Sequence, residues 1–396
     1  MADPAAPAEP LRPPKVYVHI GAPKTGTTFV QSVLWANREQ LATDGVLYPY
    51  EQAKQHFTAM LDLRERGWGA HPPGYWRGTW DAVARRAATW SGHTVILGNE
   101  ILGGATDPQI QRLVHSLAPA EVHVIFTARD LARQLVSDWQ EHIKHKHTVT
   151  IEDFVDDLME NGRDATPPFG EMFWDLHDAA YVLQRWARVV PVERIHLVTL
   201  PPPGGRGGLL WQRFCQVTGL DPDGYSLDVR RANTSLGRSE AEVVRRINLR
   251  VQSMQPPHYD QLVRLRLTGK TLNGSGGRIV LPEGRMPWVQ KRSRELIDTL
   301  TDSGYDVAGD LTELMPRAED HDGYVATKAI KSGQLLPVAI RVNAALLRLA
   351  AGQRTKLQRY RRQLGELPPE PPALPSGVRA RTGRGFAALR SRLRRH

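Results

Sequence analysis

Between residues 16 and 41 the chain passes from a β-rich run to a helical one through a single glycine-bearing turn. Val16-Tyr17-Val18-His19-Ile20 ends at Gly21. The turn Gly21-Ala22-Pro23-Lys24-Thr25-Gly26-Thr27-Thr28 follows, and Phe29 to Leu41 then carries Val30, Val33, Leu34 and Leu41 at helical spacing. A strand that runs through such a turn directly into a helix builds an anion site. The N–H groups of the turn and of the first helical residues have no partner of their own, and the helix adds partial positive charge at that end. Glycine allows the tight turn and a close approach of the ligand. Lys24 supplies a full cation, and Thr27 and Thr28 supply hydroxyls.

Three further runs are almost continuously apolar: Thr94-Val95-Ile96-Leu97, Val122-His123-Val124-Ile125-Phe126-Thr127 and Arg194-Ile195-His196-Leu197-Val198. That is the pattern of parallel strands covered on both faces. Helical spacing fills roughly 107–117, 130–145 and 173–188. Alternating strand and helix predicts an α/β fold with a central parallel sheet flanked by helices. From about 235 to 305 the pattern is mostly helical, interrupted by a loop over Asn273–Gly284. With 396 residues, 41% hydrophobic and 24% charged, the chain can bury a sizeable core, and wholesale disorder is excluded.

Charge is unevenly placed. The formal net charge is +10, but residues 328–396 hold sixteen Lys and Arg against Glu366 and Glu370, so the part before them is mildly acidic. The basic character belongs to an appendage, and nucleic acid is not an expected partner. Residues 1–14, with five prolines, read as a disordered lead; 15–316 as the main domain; 317–366 as a helical extension; 367–396 as a Pro-rich linker and basic tail. Within the extension, 338–362 reads as an amphipathic helix with Val342, Leu346 and Leu349 on one side. In the tail, Phe386, Leu389 and Leu393 recur among arginines. This reads either as a helix making peripheral contact with an anionic membrane or as a disordered tail kept soluble by charge. No run approaches 18 uncharged apolar residues, so no membrane-spanning helix is expected. The N-terminal stretch lacks the apolar centre of a secretory signal, and a cytoplasmic location is expected. The single cysteine, Cys215, excludes an internal disulfide and a cysteine zinc cage.

The loop departs from the nucleotide-triphosphate pattern G-x-x-x-x-G-K-[ST]. Gly21 and Gly26 match, but Thr27 stands at the lysine position and the lysine is at 24. No strand ends in a clear magnesium-binding aspartate, so no metal is expected. Two other strand ends carry chemistry: Gly98-Asn99-Glu100 after the second, and Thr127-Ala128-Arg129-Asp130 after the third, with Ser137 eight residues beyond Arg129. C-terminal strand ends are where ligands sit in open α/β sheets. Arg129 can grip a phosphate bidentately, and Ser137, two helical turns on, can donate to it.

The segment PKTGTT after a β-strand, together with an arginine at the third strand end and a serine on the next helix, resembles the sulfotransferases that use 3′-phosphoadenosine 5′-phosphosulfate (PAPS). Gly304-Tyr305-Asp306-Val307-Ala308-Gly309-Asp310-Leu311, then Glu313-Leu314-Met315-Pro316, is similar to the closing segment of bacterial members. The resemblance covers roughly 16–316. It departs at Leu131, where the family usually has proline. It implies a P-loop-NTPase-like sulfotransferase fold and transfer of a sulfuryl group from PAPS to a hydroxyl or amine of a small-molecule, lipid or carbohydrate acceptor. It also implies that Lys24, Thr25, Gly26, Thr27 and Thr28 hold the 5′-phosphosulfate, that Arg129 and Ser137 hold the 3′-phosphate, and that Lys24 stabilises the leaving group. The general base is Glu100 or, as the rival, His56 in Gln55-His56-Phe57. Arg230 and Arg231 could close over the 3′-phosphate, with Thr234 or Ser235 capping the helix that follows. Trp68, Trp76 and Trp80 either stack on an acceptor or plug a loop onto the core. His19 reads as a sheet histidine. The competing readings are a P-loop NTPase or small-molecule kinase using ATP and Mg²⁺, and a non-catalytic protein that keeps the fold.

Overall fold

The computed structural model describes residues 13–69, 71–202, 208–229, 235–320 and 322–366, the side chain of Glu319 excepted. The chain divides into two units, Met1–Arg341 and Val342–His396. Most of the expected N-terminal lead, Arg230, Arg231 and Thr234, and the whole stretch 367–396 lie outside the described residues.

The first unit is built on six strands: β1 (Lys15–Gly21), β2 (Val46–Leu47), β3 (Thr94–Gly98), β4 (Glu121–Ala128), β5 (Ile195–Thr199) and β6 (Asp306–Ala308). They form one sheet in the order β2-β3-β1-β4-β5-β6, with every pair parallel. The α/β class and the parallel sheet are as the sequence predicts. The apolar runs become strands buried along nearly their whole length, because helices cover both faces. Two strands went unread. β2 and β6 have two and three residues, too few for periodicity to show.

Helices fill the connections. α1 (Thr27–Ala36) leaves the first loop, and α2 (Arg38–Thr43) follows after Asn37. The single helix read to Leu41 is therefore two, and the Asn37 amide donates to the carbonyls of Val33 and Ser226. α3 (Gln55–Leu63) and α4 (Thr79–Ala88) precede β3; α5 (Asp107–Ser116) and α6 (Leu131–Lys144) fall where spacing puts them. α7 (Ile151–Asn161) buries Ile151, Phe154, Val155 and Leu158 on one face. α8 (Phe169–His177) and α9 (Ala179–Trp186) divide a helix read as one, because the Asp178 carboxylate accepts from Tyr181 N–H and starts a new helix.

α10 (Leu209–Thr218) follows β5. α11 (Arg238–Asn248), α12 (Pro256–Tyr259), a π-wound segment over 260–271 and α13 (Met286–Thr301) make up the helical region. α11 is preceded by Gly237, whose N–H donates to Glu240 Oε2 at 3.0 Å, so Ser235 is not its cap. α14 (Ser332–Gln363) is longer than the helix read from spacing and runs through Pro337. By length and composition α14 is apolar enough to cross a bilayer, with a mean hydropathy of 1.5 over its best stretch. Arg341 and Arg348 interrupt its leucines, so it holds no uncharged run of 18 residues.

Candidate functional site

The strand order decides which loops meet. β1 lies between β3 and β4, so the segments leaving the ends of these three strands share one edge of the sheet. Those segments carry Lys24, Glu100 and Arg129.

The first loop is pinned from β4. The N–H of Ala22 donates to Thr127 O at 2.9 Å, and the Thr127 hydroxyl donates to Gly21 O at 2.8 Å. The Thr25 hydroxyl lies 2.5 Å from that of Thr127 and donates to Ala22 O at 2.6 Å. Thr25 is fully buried, so its hydroxyl is committed to the sheet and only its backbone is open to a ligand. Thr27 is buried as well, while Thr28 is half-buried. Gly26 precedes α1 at φ 88°, with no side-chain cap on the helix. A Cβ there would also meet Leu210 Cδ2 at 2.4 Å. α1 therefore starts without a side-chain cap, a helix end whose dipole favours an anion.

Lys24 sits at φ 65°, in the left-handed region a lysine occupies only where its surroundings hold it. Both ends of the residue are held. Arg129 Nη1 donates to Lys24 O at 2.9 Å, and Lys24 Nζ reaches Glu141 Oε2 at 3.1 Å. Arg129 Nε is buried with no partner among the described residues, and burial lowers the arginine's pKa to about 10. An unpartnered buried guanidinium N–H is costly and fits an anionic acceptor.

α6 supplies the floor. Its Asp130 cap accepts from Arg133 N–H at 2.9 Å, so the helix starts at Leu131 without a proline. Gln134 Nε2 donates to Pro23 O at 3.2 Å, and Glu141 holds Lys24. Ser137 is half-buried and lies between these two at helical spacing, on the face that touches the loop. Burial alone would raise the pKa of Glu141, but the hydrogen bond from His145 and the charges of Lys24 and Lys144 outweigh it and hold the carboxyl well below its usual range.

Both base candidates stand at the end of β3. The Glu100 carbonyl is 3.3 Å from where a Gly21 Cβ would be, and its carboxylate accepts from Gln31 Nε2 of α1 at 3.1 Å. His56 is on α3. Asn99 Oδ1 accepts from Ile101 N–H at 3.1 Å, which turns its amide nitrogen toward His56 Nδ1 at 3.0 Å. The imidazole lone pair is therefore taken at Nδ1, and in the neutral ring Nε2 carries the proton. Burial lowers the His56 pKa to about 4, so the ring is neutral near pH 7.

Trp68 joins the two sides. Its ring meets Phe57, next to His56, at 5.2 Å and His145, bound to Glu141, at 5.7 Å, both edge-on. It is 40% exposed, whereas Trp80 is fully buried in the core and Trp76 is half-buried. His19 is buried in β1 beside Thr127 and Phe214. A cavity of about 520 Å³ lined by Lys146, His147, Asp153 and Gln252 includes none of the loop residues, so it is not where the cations converge. Among the described residues, no group of three or more His, Cys, Asp or Glu is placed to hold a metal. Glu141, Gln134 and Gln31 were not singled out from sequence. The signal was present in the spacing, since 134, 137 and 141 fall on one helical face.

No family model matches the chain, and no curated protein matches it. A solved structure described as a sulfotransferase from Alicyclobacillus acidocaldarius is 17% identical with a TM-score of 0.38, covering 61% of this chain and 95% of that one.

Proposed function

We propose that this chain transfers the sulfuryl group of PAPS to a hydroxyl or amine of a small-molecule, lipid or carbohydrate acceptor by in-line displacement. The observation that carries the reading is the convergence of Lys24 and Arg129 on one turn, with Arg129 Nη1 on the Lys24 carbonyl and Arg129 Nε unpartnered. A nucleotide with phosphates at both the 3′ and 5′ ends of its ribose offers an anion to each. The uncapped α1 and the loop amides would take the 5′-phosphosulfate, and Arg129 with Ser137 the 3′-phosphate.

In the transfer, the acceptor oxygen forms a bond to sulfur while the bond from sulfur to the bridging oxygen of the 5′-phosphate breaks. The hydroxyl proton passes to the Glu100 carboxylate, and adenosine 3′,5′-bisphosphate leaves. Lys24 Nζ, which keeps N–H groups beyond the one on Glu141, meets the charge that grows on the bridging oxygen. Glu100 is the better base because its carboxylate keeps acceptor capacity beyond the Gln31 contact, whereas the lone pair of His56 is taken by Asn99. The acceptor would lie against Trp68, which sits between Phe57, next to His56, and His145, the partner of the Glu141 that holds Lys24.

Calorimetry with adenosine 3′,5′-bisphosphate in EDTA tests the reading, and tight binding is expected without metal. Tight binding of Mg²⁺-ATP with none of the bisphosphate would overturn it in favour of a kinase or NTPase. An acceptor screen with labelled PAPS, read by mass spectrometry, then identifies the product.

A further inference from the structure

α14 carries a second feature, independent of the chemistry above. Leu346, Leu357 and Tyr360 are 40%, 58% and 61% exposed. They are spaced at i, i+11 and i+14, which places them on one face of a helix with 3.6 residues per turn. Leu347, 71% exposed, flanks that face. Arg348 and Arg359 are exposed on the other side of the helix, and Arg354 and Lys356 are exposed on the two flanks of the leucines. Residues 342–366 hold six Lys and Arg against Glu366 alone.

We propose that α14 docks this protein on an anionic membrane surface, lying in the interface and not crossing it. Crossing is excluded by how the helix starts. Leu335 and Val338 are buried, and Arg341 binds the fully buried Glu240 at 2.8 Å and Ser275 Oγ at 2.7 Å. Glu240 also accepts the N–H groups of Gly237 and Gly274. Pulling these first turns into a bilayer would leave a buried carboxylate without its cation. The stretch left ahead of Arg354, residues 342–353, is about 18 Å long, against a hydrocarbon core of about 30 Å. It is too short to span, but long enough to lie flat.

Charge selects the occupant. A groove on another protein or a second copy of this chain would bury the leucines equally well, but neither asks for six cations and one acid around them. An anionic lipid surface does. The leucines and Tyr360 enter the headgroup boundary, and the Lys and Arg stems reach out from it to the phosphates.

Sedimentation of the full chain with vesicles tests this, using phosphatidylcholine alone and with phosphatidylglycerol added, at low and high salt. Binding is expected to the anionic vesicles at low salt and to weaken at high salt. The double variant Leu346→Gln/Leu357→Gln should partition about tenfold less, with an unchanged thermal melt because both side chains face water. Arg354→Gln/Arg359→Gln should weaken binding to anionic vesicles in the same direction. The proposal falls if the parental chain ignores anionic vesicles, or if Leu346→Gln/Leu357→Gln binds them as well as the parent. It also falls if sedimentation velocity shows a dimer that the leucine variant abolishes while vesicle binding is absent. Each of these results can occur with bisphosphate binding intact, so the docking and the proposed chemistry fail separately.

Discussion

Arg129 Nη1 donates to the Lys24 carbonyl at 2.9 Å, so the residue that ends β4 holds the backbone of the turn that ends β1. One guanidinium thereby braces the loop and keeps Nε free for a ligand. Arg129→Ala should weaken adenosine 3′,5′-bisphosphate binding by about 10–100-fold, the range for losing a charged hydrogen bond. Arg129→Lys should recover only part of this, because an ammonium cannot make both contacts. Calorimetry on the two variants checks it; equal affinity for parent and Arg129→Ala would remove the arginine from the site.

Lys24→Ala should lower kcat by about 10²–10³ while changing bisphosphate affinity much less, since its charge is needed most in the transition state. Its partner should behave in the opposite sense. Glu141 competes with the ligand for Lys24, so Glu141→Gln should tighten bisphosphate binding several-fold. The same change should lower Tm, because Lys144, whose pKa is lowered by burial and by Lys24, loses its counter-charge. Paired calorimetry and thermal melts would show both shifts.

The base assignment separates by mutation. Glu100→Gln should cut turnover by about 10²-fold or more and leave bisphosphate binding within about twofold. His56→Ala should retain most of the turnover, since its lone pair faces Asn99. An active Glu100→Gln beside an inactive His56→Ala would move the proton to the histidine.

Acid should destabilise the fold before most carboxylates titrate. Burial lowers the pKa of His19, His56 and His147 to about 4, while the unfolded chain takes up protons near 6.5. Below that pH the unfolded state binds the extra protons, so stability falls as pH drops from about 6.5 to 4. Buried His19 alone accounts for about 3 kcal/mol over this window. Urea unfolding at pH 7.5 and 4.5 should show a lower midpoint at 4.5; an unmoved midpoint would mean the imidazoles are not held neutral.

Gly26→Ala should destabilise by about 1 kcal/mol or more, through its φ of 88° and the 2.4 Å approach to Leu210. Anion binding should suffer beyond that loss, because α1 would no longer start where it does. Denaturant melts read the first effect and bisphosphate titration the second.

Long apolar runs, and the turn that carries Lys24, were legible because each signal is local. Val122 to Thr127 can only be a buried strand, and Gly21 to Thr28 can only be a turn into a helix. β2 and β6 were not legible, because two or three residues carry no period and gain their hydrogen bonds from neighbouring strands. The helix that carries His56, α3, was not legible either, since helix starts without a side-chain cap leave little mark in the sequence.

By itself the sequence settled the class of fold, the turn that carries Lys24 and the residue types available to it, because backbone propensity and hydrophobic period act over a few residues. Which strand lies beside β1 was a matter of global packing. That choice alone brought Arg129 to the Lys24 carbonyl, Glu141 to its ammonium, and Glu100 to Gln31. Contacts between residues 69 to 117 positions apart are fixed by sheet order and by the close fit of helices on it, and neither is written in any one stretch of chain.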